Sequence, residues 1–486
     1  MRILIGNAVS QLVVGGRDNL LPYDLMKELR EYFSIPVKGA YFSDKYRRHV
    51  WDGRKYYLTE GGKLPTGFIP YLFKWLDGRP EVEVELVDGR TNLMEFQNPP
   101  VLSVGSKTLR DYQEDTLRSI NRHITLRGES VYFPMGVFDI ATNGGKTLIA
   151  YSLFKNIVGC RLLITIHMKD VFNQLVRELT EEGEDVGVIN DRKVCIKPIT
   201  VAMVGTLYNR MKGSVTFRKD MQQFNTLIVD EGHAAGAKQY AWVIKSLDSA
   251  GVRVVMSGTP LDQADETKSL TVVGVGSTVV KEISKKFLMD MGVSQRAKVY
   301  IHLNNIKLNG DVKDYDYVYT QVVKYSAIRI QVIRDIIQRN PDKYILMMVY
   351  EVDHAQFVYD SLSDMDGVSM VHGTDPDRVM KLDMFRTGDI RVLIATEIVK
   401  IGLNLPLINI LIPLMGEKSK VDILQFSGRG ERNDGEFTEF EIHDFFDVGR
   451  YVSQHSLERV RIYRKEEFSI TFMYPSTSNG TPKIIG

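Results

Sequence analysis

The sequence lacks the features that mark several classes of protein. Only two cysteines, Cys160 and Cys195, occur among 486 residues, which is too few for a disulfide framework and fits a reducing compartment. No run of about 18 apolar residues is present, so no membrane-spanning helix is expected. The mildly apolar start is not followed by the small-residue cleavage site of a signal peptide. We therefore expect a cytoplasmic protein with no membrane partner.

Net charge is also nearly absent. The chain has 62 lysines and arginines against 61 acidic residues, a formal charge of +1, which excludes a histone-like protein that binds through bulk charge. Any contact with nucleic acid must therefore come from a local patch. Internal repeats and low-complexity blocks are missing too, which excludes a solenoid or a disordered scaffold.

Changes in composition and in the pattern of apolar runs along the chain predict its domains. The first hundred residues are rich in Tyr, Phe, Arg and Gly and end at a proline pair, Pro99-Pro100. Beyond them, two successive sets of continuous apolar runs alternate with helix-like stretches, a pattern typical of parallel sheets covered by helices. We predict an α/β fold in which two tandem parallel-sheet domains follow a small α+β domain. The predicted boundaries are 1–104, 105–283, 284–450 and a tail of 451–486, with a hinge at 262–283 around Gly274 and Gly276.

The stretch IATNGGKT, residues 140–147, has the composition of a phosphate-binding loop. It follows a strand-like run and precedes a helix-like one, so its glycines would let backbone N–H groups approach phosphate at a helix N-terminus. Lys146 suits the β- and γ-phosphates, and Thr147 suits Mg²⁺. The first glycine of the strict pattern is replaced by Ile140. The predicted nucleotide contacts in this loop are Thr142, Asn143, Gly144, Gly145, Lys146 and Thr147.

Two further motifs complete a candidate ATPase. The run TLIVDEGH, residues 226–233, ends an apolar strand in two carboxylates, of which Asp230 can hold Mg²⁺ and Glu231 can polarise the attacking water. The run QFSGRGER, residues 425–432, contains Arg429 and Arg432, whose guanidinium groups can both reach a phosphate supplied by another domain. Each motif taken alone can be a solvent-exposed loop, but their order along the chain favours a single ATP-hydrolysing site.

With these motifs the chain resembles the superfamily 2 DExH-box helicases over about residues 107–450. The resemblance implies two RecA-like domains with ATP and Mg²⁺ bound between them, translocation from 3′ to 5′, and catalytic roles for Lys146, Glu231, Gln425, Arg429 and Arg432. It also implies further nucleotide contacts at Arg110, Gln113, Asp230 and Gly402, and contacts to the tracked strand at Lys169, Thr206, Thr396 and Lys400. Motif Ia departs from the family, because Ile166-His167 replaces its usual Pro-Thr.

A narrower resemblance covers residues 45–72, which are similar to the N-terminal domain of the phage UvsW helicase family. It implies a phage-type motor that acts on branched DNA. Residues 38–55 contain six cations and only two acids, interleaved with aromatic residues, which suits contact with nucleic acid. The candidate DNA contacts here are Arg47, Arg48, Trp51 and Arg54. The alternative is a half-buried sheet with its aromatic side chains inside and its charges solvated.

The sequence therefore predicts an ATP-dependent DNA helicase or translocase that remodels forks and Holliday junctions. We expect a monomer that binds single-stranded and branched duplex DNA. An RNA helicase or a restriction-type DNA motor with the same engine remains the alternative within the enzymes. A nucleic-acid-binding protein with an inactive ATPase is the alternative outside them, and an ATPase assay with and without DNA separates these cases.

Overall fold

In the computed structural model, the chain divides into two compact units. The first contains Met1–Ala141 and Gly145–Ile283, and the second contains Ser284–Gly486 with the loop residues 142–144. The structure describes residues 1–13, 23–141, 143–230, 232, 238–258, 266–293, 297–306, 308, 314–396, 408–416, 440–465, 468–473 and 484–485. Among these residues, no helix has the length and apolar character needed to span a membrane.

The N-terminal part of the first unit is a small α+β domain. A four-stranded sheet in the order β5-β2-β1-β6 packs against two helices, and a short hairpin of β3 and β4 projects from it. Its elements are β1 (Arg2–Ile5), β2 (Val9–Val13), α1 (Tyr23–Tyr32), β3 (Ser34–Pro36), α2 (Asp44–Arg47), β4 (Arg54–Tyr56), β5 (Lys63–Pro65), α3 (Ile69–Asp77) and β6 (Glu85–Asp88).

The rest of the first unit is built on an eight-stranded sheet in the order β14-β13-β15-β12-β16-β17-β11-β18. Its strands are parallel except for β14. The elements are β7 (Ser103–Val104), β8 (Lys107–Thr108), α4 (Asp111–Ile120), β9 (His123–Leu126), β10 (Glu129–Tyr132), β11 (Met135–Ile140), α5 (Lys146–Asn156), β12 (Leu162–Ile166), α6 (Lys169–Glu181), β13 (Val186–Ile189), β14 (Val194–Cys195), β15 (Ile199–Met203), α7 (Val204–Gly213), α8 (Val215–Asp220), β16 (Thr226–Asp230), α9 (Lys238–Ser246), β17 (Val252–Ser257), α10 (Glu266–Gly276) and β18 (Val279–Ile283).

The second unit is built on another eight-stranded sheet, in the order β21-β22-β20-β23-β24-β19-β25-β26. Here only β26 runs antiparallel to its neighbour among the paired strands described. The elements are α11 (Lys285–Asp290), β19 (Ala297–Asn304), α12 (Tyr315–Tyr319), α13 (Ala327–Arg339), β20 (Ile345–Met348), α14 (Val352–Asp360), β21 (Val368–Val371), α15 (Arg378–Thr387), β22 (Val392–Ala395), β23 (Ile410–Pro413), β24 (Phe440–Asp447), α16 (Val452–Lys465), β25 (Ser469–Met473) and β26 (Ile484–Ile485).

These two sheets confirm the predicted fold class. Central strands such as β12 and β20 are buried at every position because helices cover both faces of each sheet. The apolar runs that predicted these strands are therefore also the sites where the two motor-domain cores form.

The N-terminal domain shares one hydrophobic core with the first motor domain. Residues of the small sheet and α3 pack with Leu126, Val131 and Phe133 of the β9–β10 region and with Val273 of α10. The segment after β6 is also fastened to this motor domain, since Asn156 of α5 exchanges hydrogen bonds with the backbone N–H and C=O of Val101 at 2.6 and 2.9 Å.

The predicted hinge at 262–283 is wrong over its described part. Residues 266–276 form helix α10, and residues 279–283 form β18, which pairs with β11 at the edge of the first sheet. The two glycines serve close packing. A Cβ on Gly276 would lie 2.6 Å from Val255, and one on Gly274 would lie 3.2 Å from the Phe68 ring.

Candidate active site

The loop between β11 and α5 is shaped by residues with positive φ. Asn143 has φ 70° and Gly145 has φ 81°, so the chain turns sharply before the helix begins at Lys146. Glycine adopts this left-handed region without steric cost. The loop therefore ends at the N-terminus of an eleven-residue helix, where unpaired backbone N–H groups and the helix dipole favour a phosphate.

Lys146 reaches across the mouth of this loop. Its Nζ donates a hydrogen bond to the carbonyl oxygen of Ile140, the last residue of β11, at 3.3 Å. Lys146 and Thr147 are both half-buried, whereas Gly144 is buried. The ammonium group and the Thr147 hydroxyl are thus brought to the same end of the helix, the arrangement expected of a phosphate-binding loop. Thr142 lies outside the described residues.

Gln113 packs behind the loop. This side chain on α4 is only 3% exposed, and its Oε1 accepts a hydrogen bond from the backbone N–H of Arg110 at 3.0 Å. A Cβ placed on Gly145 would lie 2.3 Å from Gln113 Nε2. The two motifs are therefore in direct contact, although 32 positions separate them in the sequence. Arg110 is exposed at the N-terminus of α4.

Asp230 lies at the same edge of the sheet as the loop. It ends β16, which is followed across the sheet by β17 and then β11. Asp230 is level with Met256 of β17, and Ser257 is level with Asp139 of β11. Two strand spacings therefore separate the Asp230 backbone from β11, roughly 10 Å. This edge, formed by the carboxyl ends of parallel strands, is where such sheets bind ligands.

Tyr240, a residue that the sequence analysis missed, contacts the backbone at the ends of two strands of this edge. It is 2% exposed on α9, and its hydroxyl donates to the carbonyl oxygen of Thr165 at 2.9 Å. The same hydroxyl lies 3.4 Å from the carbonyl oxygen of Asp230. Tyr240 therefore ties the ends of β12 and β16 together. The motif scan carried no signal for it, because the contact depends on how α9 folds back on the sheet.

Two further candidates, Lys169 and Thr206, lie at helix N-termini along the same edge. Lys169 is exposed as the first residue of α6, and Thr206 is half-buried in the first turn of α7. These helices follow the adjacent parallel strands β12 and β15. Adjacent helix N-termini offer backbone N–H groups to neighbouring phosphates of one strand.

Of the sites predicted in the second motor domain, Thr396 is the one among the described residues. Thr396 directly follows β22 and is only 5% exposed, so its hydroxyl faces little solvent. The remaining predicted residues lie outside the described residues; they are Glu231, Lys400, Gly402, Gln425, Arg429 and Arg432.

The N-terminal patch divides into exposed and engaged side chains. Arg47 and Arg48 are exposed. Trp51 Nε1 donates to the Arg54 carbonyl oxygen at 2.7 Å, and Arg54 Nε donates to Ser34 Oγ at 2.9 Å. Trp51 and Arg54 therefore hold the β3–β4 hairpin together, whereas Arg47 and Arg48 are the accessible cations.

Three protein-family models match this chain in succession. The N-terminal domain model of the DNA helicase UvsW matches residues 21–81. The model of the res subunit of type III restriction enzymes matches residues 106–262. The helicase conserved C-terminal domain matches residues 328–434. The order of the last two is that of a two-domain helicase motor.

Relatives share this organisation over most of their length. The chain is 23% identical over 501 residues to the ATP-dependent DNA helicase uvsW of Enterobacteria phage T4, covering 91% of this chain and 94% of that one. It is 22% identical over 407 residues to the DNA 3'-5' translocase XPB2 of Sulfurisphaera tokodaii, covering 74% and 86%. Among solved structures, Saccharomyces cerevisiae Dbp5 bound to RNA and ADP BeF3 has a TM-score of 0.54 at 16% identity, covering 76% of this chain and 90% of that one. That likeness supports the fold.

Proposed function

We propose that this chain is an ATP-dependent DNA helicase of superfamily 2 that remodels branched DNA, such as forks and four-way junctions. One observation carries the proposal. The Lys146 loop and the Asp230 carboxylate lie at the same edge of one parallel sheet, in a chain whose first domain matches a UvsW N-terminal model.

The residues at this edge fit a magnesium–nucleotide complex. Mg²⁺ prefers oxygen ligands, and the Asp230 carboxylate and the Thr147 hydroxyl are oxygen donors of this kind. Bound Mg²⁺ would neutralise charge on the β- and γ-phosphates. Lys146 binds the same phosphates, and the α5 N-terminus orients them. In this proposal Glu231 would polarise the attacking water, and Arg429 and Arg432 would supply positive charge to the γ-phosphate.

The proposed strand contacts suggest how ATP hydrolysis is coupled to movement along DNA. Lys169 and Thr206 lie in the first turns of helices in the unit that holds the nucleotide loop, whereas the proposed contact Lys400 belongs by sequence to the second motor domain. A change in the nucleotide state that moves one domain against the other would therefore move two grips on one strand, which is translocation. We place this activity in the cytoplasm of an infected host cell and expect a monomer.

The accessible cations of the N-terminal patch support a second grip on DNA. Lys38, Lys45, Arg47 and Arg48 are exposed within eleven residues, and the acid between them is Asp44. Because the whole chain is nearly neutral, this local charge is the feature that suits a phosphate backbone. A duplex arm held here, while the motor pulls one strand, would force a branch point to migrate.

The ATPase part of the proposal is tested with Lys146→Ala. Loss of the ammonium group should abolish ATP hydrolysis and leave the fold intact, because the one hydrogen bond that this group donates to a described residue goes to the Ile140 carbonyl. The measurement is DNA-stimulated ATP hydrolysis beside thermal unfolding. Lys219→Ala, at an exposed lysine of α8, is the matched control. Near-normal hydrolysis by the Lys146 variant would remove this loop from the mechanism.

The DNA part is tested by the salt dependence of duplex binding. Arg47→Ala combined with Arg48→Ala should reduce the slope of log K against log salt by up to about two, since each phosphate contact contributes about 0.9. Arg54 is left unchanged because it holds Ser34. Lys27→Ala with Lys63→Ala removes the same charge from exposed positions of this domain outside the patch. An equal reduction in both pairs would mean that only overall charge matters.

An RNA helicase is the second candidate, because the fold is shared with Dbp5 bound to RNA. ATP turnover measured with single-stranded DNA, duplex, fork, four-way junction and RNA of equal length separates the two. Stimulation by RNA alone would contradict the proposed function, and stimulation by linear DNA but not by forks or junctions would limit it to an unbranched track.

A further inference from the structure

The tip of the β3–β4 hairpin exposes two aromatic side chains. Tyr41 is 61% exposed and Phe42 is 69% exposed, on a single 3₁₀ turn of residues 40–42. Their ring centroids are 4.2 Å apart, with the planes inclined at 40°. Val50, in the same segment between β3 and β4, is 75% exposed. We call residues 40–50 the aromatic tip. Large aromatic side chains placed in water beside one another mark a binding surface.

Cations surround this tip. Arg47 Nε donates to the carbonyl oxygen of Tyr41 at 3.3 Å, so this guanidinium group lies against the aromatic turn. Lys45 and Arg48, in the same tip, are exposed. Asp44, 3.8 Å from the Arg47 guanidinium, is the acid within the tip. Exposed aromatic rings beside a majority of cations are complementary to nucleobases and their adjoining phosphates.

Hydrogen bonds between the residues that flank the tip close the hairpin at its base. The backbone N–H of Val37 donates to the Gly53 carbonyl oxygen at 2.7 Å, and Trp51 closes the turn onto Arg54. The Tyr56 hydroxyl donates to the Asp52 carboxylate, and this bond holds the pKa of that carboxyl below its usual value. A surface that must bind bases gains affinity from such pre-organisation.

The hairpin is in turn fastened to the first motor domain. Lys55 Nζ donates to Thr271 Oγ1 at 3.1 Å, and the Tyr57 hydroxyl donates to the Thr267 carbonyl oxygen at 2.9 Å. Both acceptors are on α10, within the same compact unit. Force that the motor applies to DNA would therefore reach the tip without passing through a flexible linker.

We propose that the aromatic tip is a base-stacking platform that contacts the exposed bases at a branch point of DNA, while its cations hold the adjoining phosphates. The proposal rests on the proposed function as a DNA motor and adds a substrate element to it. An intact duplex hides the faces of its bases, whereas a branch point exposes them. The aromatic rings therefore discriminate branched from linear DNA, and the cations bind both.

The test compares the affinities of the full chain for two DNAs without nucleotide. One is a fully paired four-way junction kept without Mg²⁺, so that its arms do not stack on one another and it offers no single-stranded arm, and the other is a blunt duplex with as many base pairs. Tyr41→Ala with Phe42→Ala should weaken junction binding about tenfold, the size expected for one lost base–aromatic stack, and leave duplex binding unchanged. Arg47→Ala with Arg48→Ala should weaken both equally.

Further arms identify stacking as the cause. Abasic nucleotides at the branch point should reduce wild-type affinity to the level of the alanine pair and should not reduce the affinity of that pair further. Tyr41→Leu with Phe42→Leu keeps apolar bulk but removes the rings, so it should behave like the alanine pair. Tyr317→Ala, at a half-exposed tyrosine of α12, is the matched control and should match wild type. Thermal unfolding establishes that each variant is folded.

Each result decides. The proposal is overturned if the alanine pair weakens both DNAs equally, if it weakens neither, if the leucine pair binds the junction like wild type, or if the wild type shows no preference for the junction. Failure of the proposed function gives a different result, because the wild type would then show no ATPase stimulated by DNA.

Discussion

The contact between Gln113 and Gly145 shows how one residue can control the nucleotide loop. Gly145 lies in the left-handed region at φ 81°, and the Gln113 amide fills the space where a side chain would be. Left-handed backbone costs a non-glycine residue about 1–2 kcal/mol. The position therefore excludes other residues for two separate reasons, one in the backbone and one in packing.

Gly145→Ala should accordingly lose ATP binding and hydrolysis together, because the new Cβ would lie 2.3 Å from Gln113 Nε2 and the loop must move. The measurements are nucleotide affinity and hydrolysis rate. Gly213→Ala is the control, since a Cβ there meets no atom within 4 Å. Normal ATP binding by Gly145→Ala would contradict this account.

The sequence predicted residues that belong to motifs but not the hydrogen bonds of residues outside them. The motif predicted Lys146 and Asp230, because each role needs one residue type at one spacing. The internal bonds of Trp51 and Arg54 were beyond it, since composition cannot distinguish an exposed cation from one that donates within a hairpin. The same limit hid Arg253, a buried arginine whose guanidinium donates to the Ile244 carbonyl oxygen near the end of α9 and to the Ala250 carbonyl oxygen in the segment that follows.

Among the elements, strands were predicted better than their ends. The apolar run of residues 198–206 predicts one continuous strand, but β15 ends at Met203 and α7 begins at Val204. Apolar continuity does not mark this boundary, because the first turn of a buried helix is as apolar as the strand before it. The misassigned hinge has the same origin, since glycines required for close helix packing look like glycines required for flexibility.

Helix α10 is the element that joins the N-terminal domain to the motor. Gly67, in the 3₁₀ turn of residues 66–68, lies so close to it that a Cβ would be 2.0 Å from the Val273 carbonyl oxygen and 2.8 Å from Gly274. Both neighbours are backbone atoms, which cannot rotate away. The two parts of the first unit are therefore docked backbone against backbone at this point.

Gly67→Ala should separate these layers and destabilise the first unit by about 1–3 kcal/mol, the usual effect of overpacking a core. We expect a lower thermal midpoint and weaker coupling of ATP hydrolysis to junction DNA, with hydrolysis stimulated by single strands less affected. Gly78→Ala, in the same domain, is the control because its Cβ would be at an ordinary 3.6 Å from the Trp75 carbonyl oxygen. Equal stability of the two variants would show that the docking is loose.

For the molecule as a whole, composition predicted the absence of bulk charge but not where charge is buried. The second unit contains an ion pair of Arg329 with Asp447 and another of Arg459 with Asp444, all almost fully buried. They fasten α13 and α16 to β24. Breaking one partner of such a pair is strongly destabilising, so these residues contribute to a defined arrangement of helices. Their sequence positions, over a hundred apart for the first pair, give no sign of the contact.

The second unit also holds two histidines, His302 and His354, whose low pKa should make it sensitive to acid. Burial lowers the pKa of His302 to about 3 and that of His354 to about 3, from an ordinary value of 6.5. The groups facing His354 are Arg329 and Lys324, which also lower its pKa, and Asp353, which opposes them. Between pH 6.5 and about 3 the unfolded chain binds protons that the folded chain does not, so the free energy of unfolding must fall as the pH falls.

The slope reaches about 1.4 kcal/mol per pH unit for each histidine. Hydrogen exchange of the full chain at pH 7, 6 and 5, corrected for the intrinsic rates, should therefore show protection lost in peptides from 284–486 before those from 1–283. His354→Leu should flatten this dependence, because the histidine Nδ1 has no hydrogen-bond partner among the described residues and the side chain is 1% exposed. His123→Asn, at an exposed position of β9, should leave it unchanged. If His354→Leu changes the free energy of unfolding at pH 7 but not its dependence on pH, His354 only fills space. If the dependence on pH becomes shallower, the low pKa of His354 is a cause of the acid sensitivity of the second motor domain.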